Sequence, residues 1–167
     1  AAKARDAGLS DPIDELRIPS VSTLPERHED CLRNAQWLHD RLQAMGMKVE
    51  IVQVTKSGNP VVVADWNGRP GKPHLTIYGH YDVQPVDPLD LWTTPPFEAT
   101  VRDGELYARG SADDKGQVFM HIQAVEAHLK TGGRLPLHSK VFIAGEDELV
   151  RVLLDAFMPA QQHGPCA

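Results

Sequence analysis

Three short polar runs in this 167-residue chain hold side chains of the kinds that bind divalent cations and move protons: His80-Tyr81-Asp82, Ala112-Asp113-Asp114-Lys115-Gly116 and Glu146-Asp147-Glu148. In His80-x-Asp82, two extended residues separated by one point the same way. The Asp82 carboxylate can then take one ring N–H while the other imidazole nitrogen faces a metal. Asp113 and Asp114 lie between Gly110 and Gly116, which suits a tight turn that aims a pair of carboxylate oxygens outward to bridge two cations. Three consecutive acids raise one another's pKa values unless water or a cation screens them, and a metal would relieve that repulsion. Each run also has an ordinary explanation. These are a hydrogen-bonded pair at a loop end, carboxylates drawn to the free N–H groups and dipole of a helix start, and a solvated acidic turn.

The elements around these runs decide whether they can meet. Cys31, Ala35, Leu38, Leu42 and Met45 recur at helical spacing, predicting a helix over 25–45 capped by Thr23, with Pro25 in its first turn and Gly46 at its end. Strands are predicted at 49–54 and 60–66, the second so continuously apolar that it reads as interior, with a turn at Ser57-Gly-Asn-Pro. A further strand over 74–78 ends at Gly79, where the first polar run begins. A hairpin follows, 98–102 with 105–107, turned at Asp103-Gly104. Val118, Ile122, Val125 and Leu129 mark a second helix, stopped by Gly132-Gly133 before a strand over 140–144. Val150, Leu153, Leu154 and Phe157 read as a last helix ending near Pro159. Strands alternating with helices predict an α/β fold, a three-layer sandwich with a mixed, mainly parallel sheet. All three polar runs then fall at strand-to-helix transitions, and the carboxyl ends of strands are where such folds gather reactive loops.

Composition narrows the function classes. The chain is long enough for one domain with a real core, and its 41% hydrophobic and 24% charged content is globular. A formal charge of −6, from 17 basic and 23 acidic residues, with no basic stripe, argues against nucleic acid as a partner. No apolar run approaches the roughly 18 residues of a membrane span, and the start has no apolar signal core, so the expected location is cytoplasmic. The two cysteines, Cys31 and Cys166, form no metal-like or redox-like spacing and read as a core residue and a tail residue.

Taken jointly and in order, the runs resemble a known family. The stretches Ile77-Tyr-Gly-His-Tyr-Asp-Val-Gln-Pro, Leu91-Trp-Thr-Thr-Pro-Pro-Phe and Leu106-Tyr-Ala-Arg-Gly-Ser-Ala-Asp-Asp-Lys-Gly-Gln are similar to the co-catalytic zinc peptidases. That family includes carnosinase, cytosolic dipeptidases, aminoacylase and glutamate carboxypeptidase, and the wording is that of the dipeptidase branch. The resemblance runs from about Pro12 to Met158 and covers only the first part of the family's length. It implies a zinc-peptidase-like catalytic domain, incomplete here, in which His80 binds one of two zinc ions, Asp113 bridges both and Asp82 orients His80. Gly145-Glu-Asp-Glu aligned on the family's Gly-Glu-Glu-Glu puts Asp147 at the catalytic base position and Glu148 at the ligand position.

There the chain departs from the pattern. Asp147 is one methylene shorter than the family's Glu, and misplacing a base by about an ångström costs ~100-fold in rate. Leu149-Val-Arg-Val also replaces the family's Ile-Gly-Ser-Pro. A complete member would add a further carboxylate ligand, a late His ligand, and a lid domain that dimerises and binds the substrate's carboxylate. Residues 1–158 are accordingly expected to be the N-terminal part of a catalytic domain and 159–167 a disordered tail, with the lid absent. His163 is assigned to that tail, and the histidines at 28, 39, 74, 121, 128 and 138 to surface or packing roles.

The implied reaction is hydrolysis of the amide bond of a short peptide or dipeptide by zinc-activated water, impaired in this chain. Two other readings are an N-acyl amino acid deacylase of the same family and a non-catalytic α/β module. The segment from Trp92 to Phe97 either walls the site or packs on the hairpin.

Overall fold

The structure, a computed structural model, describes residues 10–66 and 71–148. Residues 10–16 are helical, and a 3-10 turn at Pro25–Arg27 leads into helix α1, His28–Ala44. Cys31, Ala35, Leu38 and Leu42 are fully buried along one stripe of α1, as their spacing predicts. Gly46, at φ +87°, turns the chain out of the helix. The expected Thr23 cap does not form. The Pro25 turn moves the helix start downstream to Arg27, and neither turn nor helix has a side-chain cap.

Strands β1 (Lys48–Val52), β2 (Val61–Trp66), β3 (His74–His80) and β6 (His138–Ala144) form one sheet in the order β1-β2-β6-β3. β2 is interior, as its unbroken apolar run predicts. The sheet is mixed: β1 and β6 flank β2 antiparallel, and β3 runs parallel to β6. The parallel share is smaller than expected, because β1 turns straight back into β2 instead of crossing over through a helix. The remaining strands, β4 (Thr100–Arg102) and β5 (Glu105–Tyr107), pair as a separate hairpin. Its turn residues Asp103 and Gly104 both have positive φ, 52° and 85°, which suits the twist of a two-residue hairpin.

Helix α2, Lys115–Gly132, ends on the left-handed Gly133, whose N–H reaches the Leu129 carbonyl. Both helices lie on the same face of the sheet. Cys31, Ala35, Leu38 and Leu42 of α1 and Val118, Ile122 and Val125 of α2 share one buried cluster with Val62, Ala64, Val141 and Ile143. The opposite face carries a smaller cluster of Val61 and Phe142, with Val52, Val54 and Val63 against it. Two of the three expected layers are thus seen among the described residues. The predicted helix at 150–157 and the tail at 159–167 lie outside them.

Candidate metal centre

Parallel pairing of β3 with β6 sets His80 level with Ala144, so the first and third polar runs leave the sheet side by side. α2 packs its first turn beneath them. Gly79 makes this possible: a Cβ there would sit 2.4 Å from a Val118 methyl and 2.7 Å from Asp114 Oδ2, so only glycine lets the helix start approach the strand.

At the junction, one ligand atom each from His80, Asp113 and Glu148 lies within 4.8 Å of the others. His80 is buried, and its Nε2 faces Asp113 Oδ1 at 3.2 Å. Its Nδ1 lies 3.0 Å from the Asp82 backbone carbonyl and 3.4 Å from Asp82 Oδ1. Both acceptors favour a proton on Nδ1 and leave Nε2 as the nitrogen that could meet a cation. Burial alone would lower the His80 pKa. The hydrogen bonds and charge of Asp82, aided by Asp114, outweigh it and hold the imidazolium up to about 9.

Asp113 is exposed on its turn. Asp114 turns inward, and its Oδ2 accepts the His80 backbone N–H at 3.2 Å. Burial raises the Asp114 pKa, against the opposing pull of His80. The helix-cap explanation for this pair does not hold, because the Asp114 side chain makes no cap bond.

The three consecutive acids escape mutual repulsion by diverging. Glu146 Oε1 accepts the Asn59 backbone N–H at 2.6 Å. Asp147 Oδ1 accepts the Tyr78 hydroxyl at 2.6 Å. Glu148 joins His80 and Asp113, and its Oε2 accepts from the Gln84 amide. Asp147 therefore stands outside the three-residue group, engaged by a phenol that burial and this bond both keep protonated.

Asp82 has partners beyond His80. It is fully buried, and its carboxylate accepts the Ser22 hydroxyl (2.6 Å) and the backbone N–H groups of Asp147 (3.2 Å) and Glu148 (3.1 Å). Sequence reasoning missed Ser22, Tyr78 and Gln84, which carry no signal of their own. It also passed over Lys115, although the residue stands inside the second run. Lys115 is buried and donates to the Glu15 carbonyl (3.2 Å), the Ile18 carbonyl (2.8 Å) and Asn34 Oδ1 (2.6 Å), tying the start of α2 to the N-terminal segment. The Trp92 loop packs toward the hairpin end: Arg109 lies over the Trp92 ring and donates to the Pro85 carbonyl.

An imidazole nitrogen and two carboxylates, brought together from the ends of β3 and β6 and the turn before α2, make a donor set that could hold a divalent metal. Comparison with known proteins agrees. The family model for peptidase family M20/M25/M40 matches residues 76–156. The Beta-Ala-His dipeptidase of Homo sapiens is 34% identical over 156 residues, covering 88% of this chain and 31% of that protein. The Cys-Gly metallodipeptidase of Schizosaccharomyces pombe is 38% identical over 155 residues, covering 87% and 33%. Among solved structures, human carnosine dipeptidase 1 superposes with a TM-score of 0.87 at 32% identity, over 94% of this chain and 35% of that one. The M20 family metallo-carboxypeptidase Sso-CP2 of Sulfolobus solfataricus gives 0.83 at 34%, over 92% and 34%.

The chain belongs to the M20 peptidase family and matches the N-terminal part of its members. A metal cofactor and a hydrolase lineage go with that membership. The chain spans about a third of the length of the curated relatives it matches. Among the described residues, no helix is long and apolar enough to cross a membrane.

Proposed function

We propose that this chain supplies one side of a two-zinc centre that hydrolyses the amide bond of dipeptides or other short peptides, in the cytoplasm. The observation that carries the reading is the convergence of His80, Asp113 and Glu148 from three separate loops. His80 would offer Nε2, Asp113 would contribute its carboxylate from the exposed turn, and Glu148 would complete the set, its Oε2 accepting from the Gln84 amide. Bound zinc would supply Lewis acidity to a water and to the amide carbonyl. Asp82 holds the His80 ring and the backbone under Glu148. Asp147 is the proton carrier, taking the proton from the attacking water and passing it to the leaving amine. The Tyr78 bond occupies Asp147 Oδ1 and leaves Oδ2 for that task, on a side chain one methylene short, so turnover is slow. In a longer protein, homodimerisation and recognition of the substrate's carboxylate would fall to segments beyond the region matched here.

Catalytic zinc usually takes three protein ligands and a water, whereas the three donors found among the described residues would be shared between two ions, so binding would be weak. The test is dialysis against zinc, metal analysis, and hydrolysis assays with dipeptides and N-acyl amino acids. Weakly held zinc with slow dipeptide cleavage is expected. Zinc retention no greater than in His80→Ala, or cleavage of N-acyl amino acids with dipeptides untouched, would overturn the reading.

A further inference from the structure

We propose that Ser22 is a positioning residue of this metal centre, acting through Asp82, and that the 18–22 segment sets the spacing of the three ligand loops. The proposal rests on the metal-centre reading above and assigns a role to a segment that precedes the family model's match, which begins at residue 76.

The argument starts from the cost of burying Asp82. A polar group with no exposure is costly to bury unless donors saturate its oxygens. Besides the His80 ring, those donors are the Ser22 hydroxyl and the amides of Asp147 and Glu148. The Ser22 bond, at 2.6 Å, is the shortest of the set, and it falls on Oδ2, the oxygen that also receives the Glu148 amide. The hydroxyl thus fixes the carboxylate from which the backbone of a metal ligand hangs. Without it, a buried oxygen loses a donor, and the carboxylate can rotate toward its remaining partners, shifting the 147–148 backbone.

The rest of the segment holds the other two loops. Ser20 donates its hydroxyl to the Tyr81 carbonyl at 2.7 Å and accepts the Val83 amide at 2.9 Å, bracketing Asp82. The Ile18 carbonyl accepts Lys115 Nζ at 2.8 Å, two residues past Asp113. Three residues of this five-residue segment, Ile18, Ser20 and Ser22, therefore tie it to the start of α2 and to the His80 loop, and reach the Glu148 loop through Asp82.

The test compares the 167-residue chain with Ser22→Ala, Ser22→Thr and Val125→Ala, the last a buried α2 residue outside the ligand loops. Zinc chloride affinity is measured by calorimetric titration, stability by urea unfolding, and amide exchange at Asp147 and Glu148 without metal. Ser22→Ala should weaken zinc binding about 10-fold, the lower end for a residue supporting a ligand, and speed exchange at 147 and 148 relative to β6. Ser22→Thr, which keeps the hydroxyl, should restore both. Val125→Ala should lose stability and keep its zinc affinity. Wild-type affinity in Ser22→Ala overturns the proposal alone. So does equal weakening by Val125→Ala, because the effect would then be general destabilisation. A wild-type chain that binds no zinc removes the metal-centre reading and this proposal together.

Discussion

Replacing Lys115 by Met removes a buried ammonium that makes three hydrogen bonds and leaves a side chain of similar length in its place. The carbonyls of Glu15 and Ile18 each keep another donor, the amides of Ile18 and Ser20 respectively. They lose only charge-assisted bonds, at about 1.5–3 kcal/mol each before the cost of desolvating the ammonium is set against them. Asn34 Oδ1 loses its nearest donor, since the Ser20 hydroxyl 3.3 Å away is already committed to Tyr81, and a buried unpaired acceptor costs about 1–3 kcal/mol. Against this, the ammonium no longer has to be desolvated; burial pulls the Lys115 pKa down in spite of Glu15 and other nearby acids. Glu15 then loses its cation, and burial, which already lifts its carboxyl pKa against Lys115 and Asn34, lifts it further. The net expectation is a loss of about 2–3 kcal/mol, equivalent to a fall in Tm of about 4–12 °C for a chain of this size. Urea unfolding followed by circular dichroism at pH 7 measures it. A loss below about 0.5 kcal/mol, or a gain, would mean that the polar network is no better than an apolar core there, and would refute its role in anchoring the start of α2.

Lengthening Asp147 to Glu restores the family's reach, and dipeptide turnover in the zinc-loaded chain should rise, by up to ~100-fold if the missing ångström is the whole deficit; steady-state kinetics with unchanged zinc content checks it. Glu126 is held down to about 2, first by Arg41 and then by Lys130, so its contribution is present above about pH 4.5 and lost as pH falls through 2. Glu126→Gln should therefore cost roughly 1 kcal/mol at pH 7, and the gap from wild type should close as urea midpoints are followed down to pH 2. Gly79→Ala drives a Cβ into Val118 and Asp114 and should cost about 1–3 kcal/mol, with a loss of zinc affinity as Asp114 is pushed off the His80 amide.

Much of the fold was legible because its signals are local. The buried stripe of α1, the two-residue turn of the hairpin, the left-handed Gly133 and the apolar run of β2 each depend on residues close in sequence. What could not be read is non-local. Nothing in β3 announces that it pairs with β6 and not with its neighbour in sequence, and the two amphipathic helices do not say which face of the sheet they share. The site followed the same division. His80 and Glu148 stand in distinctive runs after strands and Asp113 in one at a helix start, and the structure brings the three together. Asp147 was read from its alignment position, whereas its partner Tyr78 is fixed by β3 alternation and the register with β6. Ser22 and Lys115 escaped notice because their importance lies in partners 60 and up to 100 residues away.

Zinc K-edge absorption spectroscopy on the zinc-loaded chain and on His80→Ala tests the central claim most directly. Convergence of the three loops predicts nitrogen and oxygen donors only, with one imidazole whose multiple-scattering signal disappears in the variant. Sulfur in the first shell, or an imidazole signal that survives the loss of His80, would contradict it.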